Sequence, residues 1–345
     1  AMIRLLAAGV KRGDHIGLLC DTEMITIILF YALARIGAVN VIYNTSLSAE
    51  ETASLLDRSD TTMLLMGDGY KSSVFPVMIK SVLHECPQLR QVYFIGHKDN
   101  FGFDVFSDIE PASEEALAAA EAAVLPSDTA QILFTSGTTS LPKMVMGSQY
   151  SRANCGRMQA KDLTATKDDV FLAALPTFHC FSISVNIMAA CSVGACLVLP
   201  SSRKTAVLLS AIRECRVTIL SCVPTLFFAM MNRADFKKWD VSSVRIGFIG
   251  GSPCSPAQFK SVEKAFGMTV LSSLGQTEAT AGITTANATD SLAIRSTTLG
   301  HMMDFLEGKA IDIETGEDCE VGEPGEVCVR GYVVMQGYYK MPEET

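Results

Sequence analysis

No pair of cysteines in this chain stands in a CxxC arrangement, and no cluster of cysteine, histidine and acidic residues has the spacing of a zinc site. Eleven cysteines are present at irregular intervals. The odd number disfavours a full disulfide framework and points to reduced, mostly buried thiols in a cytoplasmic protein. Positive charge is scarce as well. With 28 lysines and arginines against 37 acidic residues, the formal net charge of −9 argues against a nucleic-acid face, although a local basic pocket for phosphate stays open. A clean membrane span is also missing. The apolar run Met24–Ala34 is too short and meets Arg35; the uncharged stretch 170–200 is long enough, but Pro176, His179, Ser182, Ser184, Asn186 and Gly194 divide it into strand, loop, helix and strand. At the start, the Lys11, Arg12 and Asp14 cluster follows the apolar part, the reverse of a secretory signal. There is no repeat of short fixed period.

What is present suits a globular α/β protein. A hydrophobic fraction of 48% over 345 residues allows an ample core divided among two or three subdomains. Helical patterns alternate with short β-rich runs, which predicts two mostly parallel, helix-covered sheets followed by a small antiparallel β subdomain. The first series of strands is expected at 15–20, 38–44, 62–67, 91–96 and 131–134, with helices over 23–36 and 48–58. A short helix over 113–123 falls in a surface connection bracketed by Pro111 and Pro126. The second series is expected at 170–176, 195–200, 217–222, 245–251 and 268–275. Past residue 290, the turns "ETGED" and "GEPGE" separate short β runs. The implied division is 1–165 for a first α/β subdomain with a phosphate-binding loop, 166–290 for a second, and 291–345 for the β-rich part.

The stretch "FTSGTTSLPKMV", Phe134 to Val145, concentrates hydroxyls, a glycine and a lysine behind an apolar strand. Ligands of open α/β sheets bind beyond the carboxyl ends of strands, and the stretch reads as such a turn, leading into a helix. The hydroxyls of Thr135, Ser136, Thr138 and Thr139, the backbone around Gly137, and Lys143 could wrap an anion. It is not the GxxxxGK[ST] phosphate loop, because the lysine follows Pro142 and lacks that glycine spacing. A bare Ser/Thr/Gly loop is more often an ordinary turn.

Together with "LPTFHCFS", "GGSPCSP", "LGQTEAT" and "GEPGEVCVRGYVVMQGYYKMPEET", in this order, the stretch resembles the AMP-forming adenylating enzymes: acyl-CoA synthetases, luciferases and peptide-synthetase adenylation domains. The likeness covers nearly the whole chain and looks most like the acyl-CoA ligases. It implies a reaction in which a carboxylate attacks the α-phosphorus of ATP, pyrophosphate leaves, and a thiol takes the acyl group. The implied cofactors are ATP, Mg²⁺ and CoA, and the partner is a small carboxylic acid. By resemblance, Thr135, Ser136, Gly137, Thr138, Thr139 and Lys143 hold the β- and γ-phosphates. Thr277 reaches the α-phosphate, Glu278 ligates Mg²⁺, and Gly250, Gly251 and Ser252 lie along the adenine. Leu274 with Gly275 stands at the adenine-stacking position, and His179 lies where the family often places a group beside the reacting carboxylate. The plainer readings are a histidine satisfied in a turn for His179, a helix-start carboxylate for Glu278, and packing for Cys254, Tyr338 and Tyr339.

The chain departs from the family pattern at three positions. Ser140 and Met144 stand where the loop usually has glycine, and Leu274 stands where an aromatic residue is usual, which puts the tightness of nucleotide binding in doubt. The family's ribose-gripping aspartate and its small mobile domain with a catalytic lysine lie beyond Thr345. The expectation is therefore a fragment of an ATP-dependent acyl-CoA ligase that turns over poorly alone. The competing reading is a non-catalytic relative that binds nucleotide or acyl-adenylate, or serves as an interaction module.

Overall fold

The computed structural model describes residues 1–96, 101–135 and 142–345. Its chain forms two compact units, one of residues 1–150, 176–179 and 335–345, the other of residues 151–175 and 180–334.

The first unit is built on an eight-stranded sheet. Its spatial order is Gly337–Tyr338, Met144–Ser148, Thr129–Phe134, Val39–Ile42, His15–Leu19, Met63–Met66, Gln91–Phe94 and Asp104–Val105. From Thr129–Phe134 onward every neighbour is parallel. The sequence gives the reason. Strands "VNVI" and "MLLM" are apolar or uncharged at each position and buried at each position, as a parallel sheet covered on both faces requires. Even Asn40, fully buried, is accommodated because its amide donates to the carbonyls of Phe30 and Ala130. Helices Met24–Arg35 and Ala49–Arg58 occupy the expected ranges. The second opens with a reciprocal capping box in which Ser48 and Glu51 satisfy each other's backbone N–H groups.

One expectation is corrected here. The segment after Phe134 does not lead into a helix. It returns as the antiparallel strand Met144–Ser148, with Phe134 opposite Met144, so the phosphate-loop candidate is the connection of a hairpin at the sheet's carboxyl-end side. Met144 accordingly lies in the strand with its side chain in the core, 2% exposed and grouped with Leu19, Ile132 and Met66. Its backbone has no positive φ. A methionine at this position fills a core site with an ordinary strand backbone.

The second unit carries another parallel sheet. Cys196–Val198 pairs with Val170–Leu172, and Ile246–Ile249 with Thr269–Leu274. The expected strand 217–222 links these pairs through single bridges at Ile219 and Cys222. Antiparallel strands Thr284–Thr285 and His301–Met302 extend the far edge, and a hairpin of Glu307–Ile311 with Glu326–Arg330 follows. The uncharged stretch 170–200 resolves into the strand Val170–Leu172, a π-helix Ser182–Met188, a helix Ala189–Val193 and the strand Cys196–Val198. Among the described residues no helix is long and apolar enough to cross a membrane. All eleven cysteines are free thiols.

Candidate active site

In the first unit, the neck of the Ser/Thr/Gly hairpin is closed by a reciprocal pair. The N–H of Thr135 donates to the carbonyl of Lys143 at 3.0 Å, and the N–H of Lys143 donates to the Thr135 hydroxyl at 3.3 Å. Arg58, at the end of helix Ala49–Arg58, donates to the carbonyl of Pro142 at 3.1 Å and ties the neck to the unit. The Lys143 ammonium sits 4.7 Å from the ring centre of Tyr338, a cation–π contact that the sequence alone did not suggest. Ser136, Gly137, Thr138, Thr139 and Ser140 lie outside the described residues. His179 belongs to the same unit. Its N–H donates to the carbonyl of Pro176, and its ring lies 4.6 Å from that of Phe178. His179 is exposed as a residue, yet the burial of its imidazole side holds the pKa below the ordinary histidine value.

In the second unit, two neighbouring parallel strands deliver the other candidates. Ile246–Ile249 ends at the buried Gly250 and the exposed Gly251 and Ser252, while Thr269–Leu274 ends at the half-buried Leu274 and the exposed Gly275. Both sets therefore lie at the carboxyl ends of adjacent strands. Glycine is demanded at two of these positions. Gly251 has φ +79°, and a Cβ on Gly275 would stand 2.3 Å from the carbonyl oxygen of Ala281.

Beyond Gly275 the chain makes one 3₁₀ turn, Thr277–Ala279, before it returns as Thr284–Thr285. Thr277 and Glu278 are adjacent on that turn and half-buried. The Thr277 hydroxyl donates to the thiol of Cys180 at 3.7 Å. Burial pushes the Cys180 thiol up, and the negative charge of Glu278 adds to the shift, so it stays protonated. The turn closes through two successive left-handed residues that are not glycine, Thr280 at φ +50° and Ala281 at φ +74°. Each such residue costs about 1–2 kcal/mol, so the surroundings must hold them. Thr280 donates from its hydroxyl to the carbonyl of Val333 at 2.7 Å, and the thiol of Cys155 donates to the carbonyl of Thr280 at 3.0 Å. Sequence reasoning missed Cys155 and did not foresee these contacts of Cys180 and Thr280. Nothing in a cysteine 125 positions away announces such a contact.

A magnesium ion is the metal the resemblance implies. Among the described residues no group of three His, Cys, Asp or Glu side chains gathers to form a cage. A single carboxylate next to a hydroxyl, as Glu278 and Thr277 provide, suits Mg²⁺, which is usually held by one or two carboxylates together with substrate phosphates and water. The residues present fit that group.

Residues 3–339 match the model of the AMP-binding enzyme family. YngI of Bacillus subtilis is 31% identical over 332 residues, covering 91% of this chain and 60% of that protein. The acyl-CoA ligase sidI of Aspergillus fumigatus is 31% identical over 329 residues, covering 90% of this chain and 54% of the ligase. Among solved structures, the anthranilate CoA ligase AuaEII in complex with anthranoyl-AMP superposes with a TM-score of 0.90 at 24% identity, over 99% of this chain and 65% of that one. The chain thus spans little more than half the length of its curated relatives. A family match over nearly its whole length, on the fold those structures share, makes this chain a member of the AMP-binding enzyme family.

Proposed function

We propose that the protein is an AMP-forming acyl-CoA ligase and that this chain supplies most of its nucleotide-handling residues. The carboxylate oxygen of a small acid bonds to the α-phosphorus of ATP, and the bond from that phosphorus to the bridging oxygen breaks, releasing pyrophosphate. The thiol of CoA then attacks the acyl carbon and AMP leaves. A carboxylate is already nucleophilic, so no strong base is required. The difficulty is the meeting of two anions while charge grows on the leaving group, and positioned donors meet it. Thr135 through Thr139 and Lys143 hold the β- and γ-phosphates, Thr277 donates to the α-phosphate, and Glu278 holds the metal. The backbone of Gly250–Ser252 and the side chain of Leu274 receive the adenine. His179, neutral at working pH, stands beside the acid without adding a charge to it. Bound magnesium supplies positive charge against the phosphates.

The observation that carries this reading is the turn from Gly275 to Ala281. It places a threonine and a glutamate at consecutive positions just beyond the carboxyl end of a parallel strand and closes through two left-handed residues. Strain of this sort concentrates at sites that use it. The names of the relatives support the choice of acyl-CoA ligase within the family. The test is carboxylate-dependent exchange of pyrophosphate into ATP by the full-length protein. Glu278→Ala is expected to lower that exchange at least about 100-fold with little change in Tm. No exchange with any member of a broad acid panel would overturn the assignment.

The second reading, a non-catalytic nucleotide binder, is favoured by Leu274, which packs without π stacking. Calorimetry with ATP and Mg²⁺ separates the two, because binding without exchange selects the binder.

A further inference from the structure

The turn that bears Thr277 and Glu278 is held from below by a side chain the proposed reaction does not use. Cys155 lies on the helix Gln149–Asp162 and is fully buried. Its thiol donates to the carbonyl of Thr280, the first of the two left-handed residues. One residue beyond that pair, the turn presses directly on the same helix. A Cβ on Gly282 would stand 2.5 Å from Gln159 Nε2, 2.7 Å from Met303 Sδ and 3.3 Å from Cys155 Sγ. The far side of Thr280 is pinned by its hydroxyl on the carbonyl of Val333. Thr280 is therefore clamped twice, its carbonyl by the thiol and its hydroxyl by the β segment, while the N–H of Ala281 donates back to the carbonyl of Gln276.

We propose that Cys155 is a positioning residue whose S–H···O contact keeps the Thr280–Ala281 step left-handed and so sets the direction in which Thr277 and Glu278 point. This deepens the ligase reading and rests on it. The argument turns on what the group donates. Released from the clamp, Thr280 and Ala281 relax toward negative φ, and a change there rotates the peptide planes that follow Glu278. Burial raises the Cys155 thiol to about 12, so it remains a proton donor at any working pH. Valine is apolar like the buried thiol but larger by about a methyl group, and it cannot donate. Serine is smaller and can donate. Because one substitution adds bulk and the other removes it, the Tm of each variant is read beside its exchange, which separates hydrogen bonding from packing.

The experiment measures amide hydrogen exchange in the full-length protein carrying Cys155→Val or Cys155→Ser. The reporters are the N–H groups of Ala281, Gly282 and Ile283, which donate to the carbonyls of Gln276, Ala279 and Leu274. Cys155→Val is expected to speed exchange at these three positions about tenfold, and Cys155→Ser to stay within about twofold of the wild type. In parallel, the Mg²⁺ concentration for half-maximal pyrophosphate exchange is expected to rise about fivefold in Cys155→Val, with the KM of the acid unchanged and with Cys155→Ser restored. Equal exchange in all three proteins, or serine as disruptive as valine, would overturn the proposal, as would a fall of all kinetic constants in step with Tm. Should the amides respond as expected while the wild type shows no acid-dependent activity, the ligase reading falls and the clamp stands.

Discussion

At the amino ends of the second unit's parallel strands, Asp169, Thr218 and Arg245 make a closed polar knot. Asp169 Oδ1 accepts from the Thr218 hydroxyl at 2.7 Å and from Arg245 Nε at 2.8 Å, and Oδ2 accepts from Arg245 Nη2 at 2.8 Å and the Thr166 N–H at 2.9 Å. At the carboxyl ends of the same sheet the described residues form no comparable knot. Gly250, Gly251 and Gly275 line the strand ends, two left-handed residues close the turn, and the buried hydroxyl of Ser272 has no hydrogen-bond partner. The amino end also has a left-handed residue, Thr164 at φ +50°, but there the Arg245 guanidinium of the knot donates to both its hydroxyl and its carbonyl, whereas the carboxyl end holds its strain beside incomplete bonding. A scaffold that is tied down at one end can tolerate an unrelaxed arrangement at the other, and the unrelaxed end is where a ligand finds groups to bind.

The largest effect is expected from closing the space at the strained end. Gly275→Ala places a methyl against the Ala281 carbonyl, within 2.3 Å, so backbone must move. Nucleotide binding, read by calorimetry, should weaken more than tenfold, and urea unfolding should report a loss of about 2–3 kcal/mol. Gly267→Ala is the control. Gly267 also has positive φ, +67°, at a helix C-terminus, but open space surrounds it. It should cost about 1 kcal/mol and leave nucleotide binding intact. If both variants bind nucleotide equally well, the contrast between the two ends loses its functional meaning.

The satisfied end is tested through its carboxylate. Burial alone would raise the Asp169 pKa, but the hydrogen bonds from Arg245, Thr218 and the Thr166 backbone outweigh it and hold the group at about 2. The folded pKa is lower than the unfolded value of about 3.9, so the stabilisation is fully present above pH 4 and fades as pH falls toward 2. Asp169→Asn should lower stability at pH 7 by about 2 kcal/mol, a figure moderated by the partly exposed Arg245, and should flatten the acid limb of the stability curve. Activity per folded molecule should be unchanged. A loss of activity with stability intact would break the division of labour between the two ends.

Much of this layout could be read from the residues. The parallel strands were legible because burial on both faces demands continuous apolar runs, and helix Ala49–Arg58 announced itself through Ser48 and Glu51. Strand Met144–Ser148 was not legible. It is short, mixes methionine with glycine and serine, and runs straight into helix Gln149–Asp162, so its composition reads as a lead-in to that helix. The residue types of the Thr277–Glu278 turn stood out as a motif, but its geometry did not. Threonine and alanine give no sign of a left-handed backbone, and the thiol that holds them comes from a distant helix.

The finest version of the comparison sets Asp169 against Asp162, seven residues earlier on the chain. Asp162 ends the helix Gln149–Asp162, and its Oδ2 is buried with no hydrogen-bond partner, as is the hydroxyl of Tyr332 nearby. Burial and then the negative charge of Asp304 raise its pKa to about 7, against a smaller opposing pull from Lys161. Here the sign reverses. Between about pH 4 and pH 7 the unfolded chain has released this proton while the folded one keeps it, so the group's contribution to stability falls as pH rises and is level above 7. Asp162→Asn, which cannot ionise, should match the wild type near pH 4 and exceed it by about 1 kcal/mol at pH 8, after allowance for the partial exposure of the group. Denaturant midpoints for the two proteins at pH 4, 6 and 8 report this ionisation together with its coupling to Asp304 and Lys161. A constant gap across those pH values would show that Asp162 ionises as readily in the folded protein as in the unfolded chain, and that its unpartnered oxygen gives the fold no pH dependence.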